Sequence, residues 1–274
     1  MSRPVLTDRA ALAAHRARAT ESARFLHQAA ADEVEERLRD VNRRFTAPVI
    51  VTGHPDWWRD AVPGAKVVPD APVLDLVPGA HDLVVHAMAL HWADDPVGQL
   101  IQCRRALRPD GLLLAATLGG ETLAELRAAL AMAEAELAGG LSPRVAPMGE
   151  VRDMGALLQR AGLALPVADV STLRVEYGDM FRLMADLRAM GETNALAARH
   201  RIVPKRALFA RAAELYGQAH GQGDGIVATY QIVFLTGWAP SDDQPKALRP
   251  GSAQRRLADA LGVAELGPEG GDER

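Results

Sequence analysis

The feature that most constrains this fold is a succession of short, largely apolar runs, each followed by a stretch with helical spacing. Pro48-Val49-Ile50-Val51, Asp82 to Ala87 (DLVVHA) and Leu112 to Thr117 (LLLAAT) show little apolar–polar alternation. Strands made from them are buried on both faces and need helices above and below. The intervening segments supply these. His54 to Ala61 reads as a short helix with Pro55 in its first turn, and Asp94 to Leu107 as a longer one. Glu121 to Leu137 is a third, its start placed by the capping-box spacing of Thr122 and Glu125. Lys66-Val67-Val68 and Pro72-Val73-Leu74 are weaker strands, and Arg108-Pro109-Asp110-Gly111 is a turn. The alternation predicts an α/β protein with a mostly parallel sheet.

Later segments extend the pattern. Val151 to Ala161 predicts a helix stopped at Gly162. Val167 to Val175 and Ile226 to Leu235 predict a closing antiparallel pair, separated by helices at Met180 to Met190 and Pro204 to His220. Residues 8–42 predict one or two charged amphipathic helices. The expected organisation is a helical arm (1–46), a sheet domain (47–240) with a helical insertion (178–222), and a polar tail (241–274) with a short helix near Arg255 to Leu261.

Composition removes several function classes. With 48% hydrophobic and 24% charged residues, the chain can bury a core and is not disordered. No apolar run reaches the roughly 20 residues that span a bilayer. A net charge of -4 argues against broad nucleic-acid binding. The single Cys103 excludes an internal disulfide framework, and as a helix residue beside Arg104 and Arg105 it reads as a packed core thiol. We expect a cytoplasmic protein, with peripheral attachment to the inner membrane as the open alternative.

In such sheets a ligand sits beyond the carboxyl ends of the strands. Here those ends are Val51 to His54, Asp75 to Val77, His86 to Trp92, and Thr117 to Thr122. At this point the residues resemble a known family. HDLVVHAMALHWADDP (81–96) and LRPDGLLLAATLGGETLAELR (107–127) are similar to the fourth and fifth strands of class I S-adenosylmethionine-dependent methyltransferases. GGLSPRVAP (139–147), DMGALLQRAGL (153–163), MFRLMADLRAMGETN (180–194) and GDGIVATYQI (223–232), with Gly237-Trp238, narrow the resemblance. They are closest to the mitochondrial complex I assembly factors that hydroxylate a protein arginine, and next to the biotin-synthesis malonyl-carrier methyltransferases.

The resemblance implies a seven-stranded methyltransferase-like fold and S-adenosylmethionine as cofactor. It also implies a peripheral subunit of respiratory complex I as partner, with an arginine as the modified residue. The cofactor-binding candidates are Gly53, His54, Asp75, His86, His91 and Trp92. The catalytic candidates are Glu192, Asn194 and Glu121, whose carboxylates and amide suit a guanidinium. Asp186, Tyr230 and Gln231 belong to the same signatures, with a structural polar network as the competing reading.

The chain departs from the family where the cofactor should sit. In VIVTGHPDWW (49–58) only Gly53 of the glycine-rich turn survives, Val51 replaces the expected acid, and Pro55 removes a backbone donor. The interval from Gly53 to Pro72 is too short for a full helix, strand and helix, leaving Asp70 as the sole candidate for the ribose acid. Of Trp57 and Trp58, one should pack on the sheet and the other plug the emptied cleft, a role we assign to Trp58. His54-Pro55-Asp56 has the His-x-Asp spacing of an iron facial triad that His200 or His220 would complete, but nothing in the sequence places that histidine, and no metal is assigned. Two functions remain open: an enzyme, by methyl transfer or arginine hydroxylation, and a non-catalytic assembly factor with a decayed cofactor site.

Overall fold

The structure is a computed structural model and describes residues 5–245. Residues Met1–Ser241 form one compact unit. A second unit, Asp242–Arg274, is described only over 242–245. The expected tail helix at Arg255 to Leu261 lies outside the described residues.

Seven strands form one sheet: β1 (Pro48–Thr52), β2 (Lys66–Pro69), β3 (His81–Ala87), β4 (Leu107–Leu118), β5 (Ala164–Tyr177), β6 (Gly221–Gln222) and β7 (Gly225–Trp238). Their order is β2-β1-β3-β4-β7-β5, with the two-residue β6 paired to β7. β1 to β4 are parallel, and β7 runs antiparallel to both of its long neighbours. The helices are α1 (Arg9–Arg16), α2 (Phe25–Val41), α3 (Pro55–Trp58), α4 (Pro96–Ala106), α5 (Ala124–Ala138), α6 (Val151–Arg160), α7 (Met180–Ala189) and α8 (Arg206–His220).

The alternation of side chains along each central strand divides the core. Ile50, Leu83, Val85, Leu112 and Leu114 face a layer that includes Leu26, Ala30 and Val34 of α2 and Leu126 and Leu130 of α5. Val49, Val51, Val84 and Leu113 face α4 and α6, through Leu100, Cys103 and Leu158. Cys103 is fully buried and its thiol is pushed up to about 12 by that burial, which makes it a core residue.

Three local expectations fail. Pro72-Val73-Leu74 forms no strand. The carbonyls of Ala71 and Pro72 accept from Gln99 of α4, and the Leu74 N–H donates to Gln102, so a helix has taken the groups a ladder would need. The Arg108–Gly111 turn is instead a kink inside β4, with Asp110 at φ 60° and a register shift against β3. Thr122 and Glu125 form no capping box. Thr122 donates to the Gly119 carbonyl at 2.7 Å, and Glu125 accepts from Thr229 of β7. Helix α5 begins at Ala124 behind a left-handed Leu123.

The N-terminal arm is stitched into the body. Asp8 caps α1 by accepting from the Ala11 N–H, and its own N–H donates to the Ala195 carbonyl. Thr7 pairs with Leu196 as an isolated bridge. These contacts hold α1 over the carboxyl ends of β1 and β2.

Candidate functional site

Gly191 turns the chain after α7 at φ +80°, a left-handed conformation that suits glycine, and a Cβ there would press on the Arg16 backbone. The turn carries Glu192 inward. One of its oxygens accepts from the Trp92 indole at 2.7 Å and lies 3.2 Å from His91 Nε2. His91 is fixed from behind: its N–H and Nδ1 both meet Thr117 Oγ1 at the end of β4. Burial opposes the charge on Glu192, but His91, Arg16 and Trp92 outweigh it and hold the carboxyl at about 2.

Two further histidines face this carboxylate. His27 lies on the buried face of α2, and the Trp58 indole donates to its Nδ1 at 2.9 Å. The His54 ring stacks on Trp57, with centroids 4.2 Å apart, and meets His27 edge-on. Burial, reinforced by His54, lowers His27 to about 3, and burial lowers His54 to about 4, so both rings are neutral. His54 Nε2 is buried with no hydrogen-bond partner.

Among the described residues, His27, His54 and Glu192 form a group spaced for a metal ion, with one ligand atom of each within 4.8 Å of the others. The residue types are those of an iron facial triad. The tautomer is not. Trp58 can only donate, so neutral His27 keeps its proton on Nε2 and offers no lone pair there. The residues as arranged do not fit a metal. The His-x-Asp triad of the sequence does not assemble either, because Asp56 is exposed and paired with Arg59.

Two cavities flank the cluster. On one side, a cleft of about 510 Å³ lies between α1 and the ends of β1 and β2. Arg16 enters it and holds Asp70 at 2.8 and 3.0 Å, both side chains being nearly buried. Its guanidinium rests on Gly53, where a Cβ would overlap it. Arg9 donates to the Asp70 carbonyl as well. On the other side, a cavity of about 230 Å³ is walled by Leu126, Leu130, Met184, Leu187 and Phe209, with Glu192, His91, Trp92, Asn194 and Tyr230 on its lining.

The sequence candidates are therefore dispersed. Gly53 and His54 line the cleft, and His91, Trp92, Glu192 and Asn194 line the apolar cavity. His86 is buried against Gln99 and lines a third hollow, of about 310 Å³, with Asp70. Asp75 is exposed and paired with Lys66 at 3.0 Å. Glu121 is exposed, its backbone N–H donating to Gln231. Asn194 pins two segments, donating to the Pro143 carbonyl and accepting from the Leu196 N–H. Asp186 accepts from Tyr177, which reaches Tyr230 at 3.2 Å. Trp58 is 0% exposed and is core, so it plugs nothing; Trp57 is the tryptophan on the cleft wall. Sequence reading missed Arg16 and His27. The available signal was a histidine on the apolar face of α2 beside Leu26, Ala30 and Val34.

A parallel sheet closed by an antiparallel β7, with ligand-sized cavities at the strand ends, defines the architecture of class I methyltransferases. A methyltransferase-domain family matches residues 34–115, and the fold of the chain is methyltransferase-like. The chain is similar to arginine-hydroxylase NDUFAF5, mitochondrial, from Danio rerio: 37% identical over 206 residues, 75% of this chain and 64% of that protein. The protein of the same name from Homo sapiens is 37% identical over 76% of this chain and 61% of its own length. A malonyl-[acyl-carrier protein] O-methyltransferase from Laribacter hongkongensis is 36% identical over 74% and 63%. The chain thus spans a little under two thirds of the length of these curated relatives.

Proposed function

We propose that this protein acts on an arginine of a peripheral subunit of respiratory complex I during its maturation, and that it does not transfer a methyl group from S-adenosylmethionine. The observation that carries the second half is Arg16. The methyl donor's amino-acid end would approach Gly53 and its ribose would need the acid after β2. Arg16 covers Gly53 and binds Asp70, and among the described residues no strand lies outside β2 to extend the adenosine site. The residues present do not fit that cofactor. The first half rests on the similarity to the arginine hydroxylases, which runs through the segments that wall the Glu192 cavity. There a carboxylate held in its charged form can pair with a guanidinium whose methylene stem packs on leucines.

The test has two parts. Calorimetric titration of the folded protein with S-adenosylmethionine and S-adenosylhomocysteine should give no heat of binding. Mass spectrometry of peripheral complex I subunits from cells lacking the protein should show one arginine short of an oxygen atom, restored by the wild-type gene and not by Glu192→Gln. Micromolar cofactor binding would overturn the second half. Failed assembly with unchanged arginine masses would favour the alternative, an assembly factor without catalysis, which the placement of Arg16 over Gly53 also supports.

A further inference from the structure

The segment between Asn194 and α8 holds a feature that the cavities do not use. Arg199-His200-Arg201-Ile202-Val203-Pro204-Lys205-Arg206 contains four cationic side chains and no acid. At its tip two adjacent aliphatic residues point into water: Ile202 is 72% exposed and Val203 87%, the most exposed large apolar residue among those described. Arg199 and Arg201 share Asp8, which anchors the root of the loop to the α1 cap, yet Arg201 stays 68% exposed. Lys205 and Arg206 are exposed and make no ion pair among the described residues.

The roots are fixed. The Ala197 N–H donates to the Leu6 carbonyl, and Lys205 is the residue from which α8 starts. The tip therefore projects from a rigid base. In a chain of net charge -4 this loop is a local reversal of sign. Two aliphatic side chains are too little for a protein interface of roughly 800 Å² per partner, and nucleic acid would leave them in water. A bilayer surface satisfies both halves, because the aliphatic tip leaves water at the depth where cations meet lipid phosphates.

We propose that the 199–206 loop docks the protein on an anionic phospholipid bilayer, with Ile202 and Val203 entering the headgroup region and Arg201, Lys205 and Arg206 facing lipid phosphates. The loop is bracketed by Asn194 and Phe209, which both line the apolar cavity, so docking brings that cavity to the membrane surface. This inference does not depend on the reading of the Glu192 cavity.

The experiment is co-sedimentation of the full chain with vesicles of phosphatidylcholine alone and of equimolar phosphatidylcholine and phosphatidylglycerol. The protein should prefer the mixed vesicles by at least about tenfold and be released by salt. Ile202→Asp with Val203→Asp, and separately Lys205→Glu with Arg206→Glu, should each weaken binding by at least about tenfold. All four positions are exposed, so thermal melting should not move. No vesicle binding, equal binding to both vesicles, or wild-type binding by either double variant would overturn the proposal.

Discussion

Trp57 and Trp58 are neighbours with different work to do. Trp58 fills the core and donates to His27, so Trp58→Ala leaves both a cavity and an unpaired imidazole nitrogen. We expect a loss of about 3–5 kcal/mol in urea denaturation. A cost near zero would mean that Trp58 is not core. The titratable cluster adds a pH dependence. His27 and His54 have folded values of about 3 and about 4 against 6.5 unfolded, so the fold favours their neutral rings. Their contribution is complete above pH 6.5 and falls as the pH drops below it. Glu192, at about 2 against 4.5, contributes fully above pH 4.5 and loses about 3 kcal/mol as the pH falls toward 2. Melting temperature should therefore decline in two stages on acidification. Glu192→Gln should shrink the lower stage, which Asp8 and Glu134, also held at about 2, share with it, and should keep the upper one; a series of melts across pH will show this.

At the scale of elements, α1 is what distinguishes this cleft from an open one. Arg16 comes from a helix some 35 residues upstream of Gly53, and the glycine is what lets the guanidinium lie flat on the turn. Gly53→Ala should cost about 1–3 kcal/mol through that overlap. Arg16→Ala should cost about 3 kcal/mol by leaving Asp70 with Arg9 alone. The double variant should cost less than the sum by at least about 1 kcal/mol, because without Arg16 the added methyl meets nothing. Strict additivity in denaturant titrations would show that the two residues do not touch. The sequence showed the surviving glycine and the short interval after it. It did not show Arg16, because nothing local marks one arginine among many as the one that will be buried.

For the whole molecule, the arm supplies Leu12 to a small cluster with Trp92, Ala195 and Leu196, and Leu26, Ala30 and Val34 to the main core. A chain without residues 1–46 exposes that face of the sheet and should not reach a native state. Its near-ultraviolet circular dichroism and amide shift dispersion should be lost; a well-dispersed spectrum would show that the sheet domain folds alone. The sequence by itself determined the strands that are buried on both faces, since an unbroken apolar run has few other stable outcomes, and it determined the helices whose apolar spacing was complete. It also singled out Glu192, His91 and Trp92, polar or aromatic groups at strand ends and in an inserted segment. Tertiary structure decided what those residues meet. Pro72–Leu74 lost its strand to the side chains of α4, and on β7 Thr122 accepts from the Gln231 N–H while Glu125 accepts from Thr229. The His27–His54–Glu192 cluster draws on residues from α2, the turn after β1 and the turn after α7, and the indole of Trp58 fixes its tautomer. Local spacing carries backbone preference, whereas partners distant in sequence are chosen only when the sheet and its covering helices close.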